Sequence, residues 1–277
     1  MGTPALMGLL FLLASGASDE EGGLFPLVGG FAGVSWDSNV TRSEKPQGDV
    51  ALDVGASGGG GWVSEDGAWG VSLLGLYRGR AWATAIELST HVLGGSLLGT
   101  WSPLEWLALG VAPSGGYTLG VDSSRNGPRL DARGFVKVFP TEWLSVRAGY
   151  GYLWRDAVDA VFSTRTHDVS ALVVVRPLDW LGFNASVGYA AGDDVVYQAT
   201  EASGGLAGTR RRRFSAAGAS YEPLRVYAHT VSMSAGAEFL LPRGFSLSVD
   251  VAWVSSVNEV QPWTAWVPSA LVGWDLP

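Results

Sequence analysis

The sequence predicts an all-β fold, a single antiparallel β-barrel of about twelve strands that crosses a membrane. Three observations predict it. Pro-x-x-Trp-Leu recurs in SPLEWLAL, FPTEWLSV and RPLDWLGF, with Pro103, Pro140 and Pro177 spaced 37 residues apart, and a looser copy, LPRGFSLS, occupies 241–248. Between the copies, apolar and polar residues alternate with the period of a strand. Tryptophan and tyrosine collect at both ends of the alternating stretches.

Composition narrows the classes. There is no cysteine, which excludes a disulfide framework, a thiolate zinc site and a cysteine nucleophile. Charged residues are only 16%, while 39 glycines and 13 tryptophans are far above average usage. Lys+Arg is 18 against Asp+Glu 26, a net charge of −8, which argues against a nucleic-acid partner. Ala5 to Ala14 is an apolar core followed by small residues and then Asp19-Glu20-Glu21. This reads as a signal peptide over 1–18, leaving 19–277 for the barrel. Nothing else approaches the ~20 apolar residues of a spanning helix.

In chain order, the first strands expected are Leu27–Trp36, Asp49–Gly58 and Ala68–Arg78. Trp82–Trp101 is long and changes face, so a bulge is expected at Gly94-Gly95. Leu104–Leu119 follows. In Arg129–Phe139, Leu130, Ala132, Gly134, Val136 and Val138 oppose Asp131, Arg133 and Lys137. Trp143–Arg155 alternates over its whole length in LSVRAGYGYLWR. Thr166–Arg176, Trp180–Val196, His229–Leu241, Gly244–Val257 and Ala265–Leu276 complete the set. The count is even, as a single-chain barrel requires. The N-terminal third, with GASGGGGW, is weakly patterned and leaves ten or fourteen strands open.

Proline cannot donate to a ladder and belongs at strand ends and turns. The repeat therefore marks a short turn between a descending and an ascending strand. The aromatic after each proline, Trp106, Trp143 or Trp180, lands at one height on every hairpin. The opposite ends carry Trp36, Tyr77, Trp82, Trp154, Trp253, Trp263 and Trp266, and Trp274 lies in the last strand. A soluble β-sandwich would also alternate, but its polar face would carry more charge, and it has no reason to line up tryptophans at both strand ends.

Two aromatic belts about ten alternating residues apart resemble the bacterial outer-membrane β-barrel proteins. The resemblance is one of architecture, covers nearly the whole mature chain and points to no specific family. SALVGWDLP is similar to the closing strand of such barrels, with Gly273, Trp274 and Leu276 in place, although it ends Leu-Pro and not on an aromatic residue. The resemblance implies the bacterial outer membrane as location and its lipid as partner.

The residues expected to line the lumen are Asp49, Asp53, Glu87, Asp131, Arg133, Lys137, Arg147, Asn184, Glu238 and Asp250. Both charge signs occur. They read either as ion pairs holding a filled barrel or as the wall of a polar channel; twelve strands fall between filled and water-filled barrels. The longest connection, Tyr197 to Ala228, holds Arg210, Arg211, Arg212 and Arg213. These arginines read as a solvated charge run, as contacts for lipopolysaccharide phosphates or an acidic surface partner, or as a plug pairing with lumen acids.

Barrel hydrolases place His and Ser two apart, on one strand face. His167/Ser170 and His229/Ser232 are three apart; His91 follows Ser89 at the right spacing, near Glu87, without a surrounding motif. Asp193-Asp194 is a loop entry. No enzymatic activity, cofactor or metal is expected. Two functions follow from the sequence: a narrow, weakly selective channel for small polar solutes, or a structural anchor in an envelope complex serving secretion, adhesion or surface motility.

Overall fold

The computed structural model describes residues 22–43, 46–200, 214–216 and 219–276. The segment read as a signal peptide and Arg210 to Arg213 lie outside the described residues. The strands are β1 Gly23–Asp37, β2 Asp49–Val63, β3 Trp69–Trp82, β4 Thr90–Leu104, β5 Leu107–Gly120, β6 Gly127–Thr141 and β7 Leu144–Arg155. They continue as β8 Thr164–Leu178, β9 Leu181–Thr200, β10 Phe214–Ala216, β11 Ala219–Leu241, β12 Phe245–Asn258 and β13 Trp263–Leu276. Each pairs antiparallel with its neighbour, β9 pairs with β11, and β13 pairs back onto β1 with Val28 opposite Leu276. Twelve strands thus close a ring. β10 is a three-residue strand on the outer extension of β11. Closure leaves the twelve ring strands with no unpaired edge, the condition for crossing lipid with strands.

The 37-residue repeat copies one backbone hydrogen bond around the ring. Phe139 N–H donates to the Trp106 carbonyl at 2.8 Å, and Arg176 N–H to the Trp143 carbonyl at 2.7 Å. Phe139 and Arg176 each precede a proline, which has no amide to donate, so each is the last donor before a register shift. Register shifts fall at each proline, between Trp101 and Leu104, Val138 and Thr141, and Val175 and Leu178. The bulge expected at Gly94-Gly95 is absent. Those residues pair in unbroken register with Gly116 and Gly115, and the shift sits at Pro103.

The stretch expected as one strand, Trp82–Trp101, is two elements. Trp82 ends β3, a 3₁₀ turn at Ile86–Leu88 follows, and β4 begins at Thr90. The change of face comes from that turn. Both β9 and β11 extend well beyond the expected bounds, so much of Tyr197 to Ala228 is ladder and not loop.

The strand faces separate as the alternation predicts. Outward side chains are apolar, among them Leu73, Val111, Tyr150, Phe183, Met233 and Val249, all exposed. A large exposed apolar band on a closed barrel is a lipid-facing surface. Trp106, Trp143 and Trp180 project at the turn end, where Trp69 also stacks on Trp101 with centroids 5.4 Å apart. Trp274 lies on this side of the barrel, opposite Phe245 and Gly30. Trp154, Trp253 and Trp266 stand on the outward face nearer the other end, Trp253 directly opposite Trp266. Two expected girdle residues do not belong there. Trp263 is buried inside the barrel, and Trp82 points inward to pack with the loop cluster below.

Inward positions are crowded by aromatics lying over glycines. The Phe135 ring covers Gly110, leaving no room there for a Cβ, and the Arg147 guanidinium lies 5.0 Å from the centroid of the same ring. Short turns and both strand termini share one end of the barrel, called inner here. The longer connections share the outer end.

Candidate functional site

Three outer connections are built on aspartate. Asp49, at the start of β2, accepts from the amides of Thr84 and Ala85, the latter at 2.8 Å, and so pins the β3–β4 connection. Asp122 and Asp159 each cap a 3₁₀ turn, accepting from Ser124 N–H and Val161 N–H. Capping satisfies turn donors that would otherwise be lost at the membrane surface.

With their ends held, these connections meet over the outer mouth. Val40 of the β1–β2 connection, Ala85 and Leu88 of the β3–β4 connection, and Phe162 of the β7–β8 connection pack with Tyr197 of β9 and Tyr221 of β11. These elements come from opposite sides of the ring, so the cluster bridges the mouth as a lid. Tyr197 N–H donates to the Thr41 carbonyl at 3.0 Å. The Arg42 guanidinium pairs with Asp194 and lies 5.5 Å from the Trp263 ring, while its carbonyl accepts from the Gln261 side chain at 3.2 Å. Arg42 itself has φ of 51°, a conformation that costs energy for a non-glycine residue. Arg42 is the clasp of the lid. Arg125 lies under it, 4.6 Å from the Phe162 ring and 5.7 Å from Tyr197. Burial, with Arg155 nearby, pushes Arg125 down to about 10, so it is charged at neutral pH.

Below the lid the charges segregate by strand. Arg125, Arg155, Arg129, Arg133, Arg147, Lys137 and Arg176 form a ladder down the β6–β8 side, each within electrostatic reach of the next. Two acids are interleaved. Asp131 accepts from Arg133 Nε at 2.9 Å and lies 3.9 Å from Arg129, and Asp168 lies 3.8 Å from Arg133. Beyond β9, the β11–β13 side carries Glu238, Asp250 and Asp275 and, among the described residues, no cation directed inward. Between the two sides stand Gly182 and Asn184 of β9. Arg176 reaches Glu238 at 3.5 Å across Gly182, and Asn184 donates to Asp250 at 3.2 Å. Asp275 Oδ1 is buried without a hydrogen-bond partner.

A second ion cluster braces the upper wall. Asp53 is 4% exposed and takes Arg80 bidentately at 2.8 and 2.9 Å, the Ser35 hydroxyl at 3.1 Å, and Arg78 at 3.7 Å. Of the residues expected in the lumen, Asp49, Asp53, Asp131, Arg133, Lys137, Arg147, Asn184, Glu238 and Asp250 all stand on inward strand positions. Glu87 does not. It sits in the 3₁₀ turn before β4, where its Oε2 is buried without a hydrogen-bond partner and near Arg125.

Sequence reasoning missed Arg78, Arg80, Arg129, Arg155, Arg176, Asp168 and Asp275 as lumen charges. The signal was present for Arg155, which continues the polar face of LSVRAGYGYLWR. Arg80 was lost because β3 runs further than its apolar pattern.

The histidines are not aimed at serines. Each accepts or donates to a tyrosine hydroxyl through Nδ1 on the outward face: Tyr77–His91 at 3.0 Å, Tyr150–His167 at 2.6 Å and Tyr189–His229 at 2.7 Å. In every case the histidine is two residues along from the residue directly opposite the tyrosine. Ser89 instead accepts from Trp82 N–H. Among the described residues no cluster of His, Asp and Glu is placed to hold a metal.

No protein-family model matches the chain, and no curated protein matches it by sequence. Solved structures do. An outer-membrane channel from Pseudomonas putida F1 superposes with a TM-score of 0.57 at 8% identity, covering 94% of this chain and 97% of that one. The NanC porin gives 0.51 at 9% identity, with 90% and 100% covered. The fold is that of a bacterial outer-membrane β-barrel. At these identities the likeness is one of architecture, and the lumen of this barrel has to be read from its own residues.

Proposed function

We propose that the chain is a narrow outer-membrane channel for small polar solutes, weakly selective and closed at its outer mouth by the lid. The observation that carries this reading is the charged lumen. A barrel held only by packing has no need for a ladder of cations beside an acidic wall, because each inward charge costs desolvation. Outer-membrane lipid is the partner of the apolar band. The arginines Arg210 to Arg213 supply contacts for lipopolysaccharide phosphates, whose oxygens suit bidentate guanidinium binding. The chain acts without enzymatic chemistry.

The lid favours a second reading. A barrel bridged at its mouth and braced by ion pairs also suits a structural anchor that holds other envelope proteins in the membrane. The test is planar-bilayer recording of the refolded chain. Discrete, steady conductance steps support the channel. Silence from a folded, heat-modifiable barrel, together with stable co-purification of a second envelope protein, supports the anchor.

A further inference from the structure

Under the lid, three guanidinium groups stand together with little carboxylate to neutralise them. Arg129 of β6 and Arg155 of β7 are directly opposite each other in the register, both on inward positions and both partly exposed. Opposite residues on neighbouring strands have Cβ atoms about 5 Å apart, and like charges placed so are destabilising. Arg155 also donates through Nη2 to the Arg125 carbonyl at 2.7 Å, which ties the strand pair to the 3₁₀ turn after β5. Arg125 completes the group from the lid side, its guanidinium against the Phe162 and Tyr197 rings.

The nearby acids are engaged elsewhere or stand to one side. Among the described residues, only Asp131 comes within 4 Å of any of the three, at 3.9 Å from Arg129, and its shorter contact, 2.9 Å, goes to Arg133. Asp122 and Glu87 lie on the turn side, in electrostatic reach of Arg125. Asp122 takes both the amide and the hydroxyl of Ser124. These two acids offset Arg125 and leave Arg129 and Arg155 to each other. Arg155 Nε is buried with no acceptor, and a shut-in donor of this kind is costly unless a further group answers it.

Guanidinium groups meet the oxygens of phosphate and sulfate in paired bonds. A dianion also offsets more of the mutual repulsion of the arginines than a monoanion does. We infer that the outer lumen holds a small tetrahedral dianion, a sulfate- or phosphate-type solute, between Arg129 and Arg155, with Arg125 closing the site from the lid. The site is one of equilibrium binding and does not depend on the channel reading.

Calorimetric titration of the refolded chain in micelles with sodium sulfate tests it, with sodium chloride holding the ionic strength constant. Saturable binding by the native chain, weakened at least about tenfold in R155Q and in R129Q, supports the site; tenfold is the order that one charge-assisted contact supplies. R165Q removes the same charge from an exposed, outward position of β8 and should bind sulfate as the native chain does. R155K keeps the charge and loses the paired geometry, so it should fall between the native chain and R155Q. Heat-modifiable mobility certifies each chain as a folded barrel, and R155K reads the same contact where R155Q does not fold.

No saturable sulfate binding by the folded native chain overturns the inference. So does binding that R155Q and R129Q leave unchanged, or that R165Q weakens as much as they do. Nitrate bound as tightly as sulfate also overturns it, because the lumen would then attract anions in general and hold no dianion site. None of these outcomes measures conductance, so the channel reading stands or falls separately.

Discussion

The guanidinium of Arg176 on β8 lies 3.5 Å from the carboxylate of Glu238 on β11, and the residue of β9 between them is Gly182. The pair bridges a cationic and an acidic stretch of the wall. Replacing Glu238 with Gln removes a negative charge from the inner lumen without changing its shape. Cation preference should fall roughly twofold in a salt gradient, read as a shift of the reversal potential. An unchanged reversal potential would place Glu238 off the ion path.

Asp53 holds the upper wall. Asn at this position keeps the size but leaves Arg80 and Arg78 facing a neutral group in a buried site. The cost should be about 3 kcal/mol, near the low end for breaking a buried pair, measured as a lower urea midpoint for unfolding from lipid. A loss below roughly 0.5 kcal/mol, the scale of an exposed pair, would show that water already screens the cluster.

Trp143 and Trp180 project at the turn end, each more than half exposed to the surroundings of the barrel, and the girdle reading has them anchor that end in the membrane interface. The double variant W143A/W180A should fold and insert more slowly and lose on the order of 1–2 kcal/mol per ring, about the worth of a partly buried large side chain. Refolding into lipid vesicles at the native rate and stability would contradict the girdle assignment.

Asp66 sits in the β2–β3 turn, outside the membrane. The Ser64 hydroxyl and the Ala68 amide both donate to it, and they hold its carboxyl below the ordinary value of 3.8. A carboxyl with a lowered folded-state pKa stabilises fully above its unfolded value and loses that contribution as pH falls through the folded one. The stability difference between the native chain and D66N should therefore be constant from neutral pH to about 5 and shrink as the pH drops through 4 and below. A difference that grows on acidification would reverse the assignment.

Much of the fold was legible because a strand face repeats every second residue. Leu130 to Val138 and the run Leu144 to Arg155 declared their lipid and lumen sides at once. The proline repeat was legible too, since proline ends a ladder wherever it stands. What escaped depended on partners far away in sequence. Trp263 and Trp82 look like girdle residues, yet both turn inward because Val254, Val226 and the loop cluster give them an apolar pocket inside the mouth. The glycine pair Gly94-Gly95 suggests a bulge, but the 3₁₀ turn at Ile86–Leu88 already changes the face. The lid left no periodic trace. Val40, Phe162 and Tyr197 belong to separate segments, and only closure of the ring brings them together.

The proposed channel is a conducting lumen under a lid clasped by Arg42. The most direct measurement is single-channel recording of the native chain beside R42A, in which the contacts of the guanidinium with Asp194 and the Trp263 ring are lost. The account predicts the same unit conductance in both and a higher open probability in R42A, because the wall is intact and only the lid is loosened. Indistinguishable gating in the two chains, or no conductance in either, would contradict it.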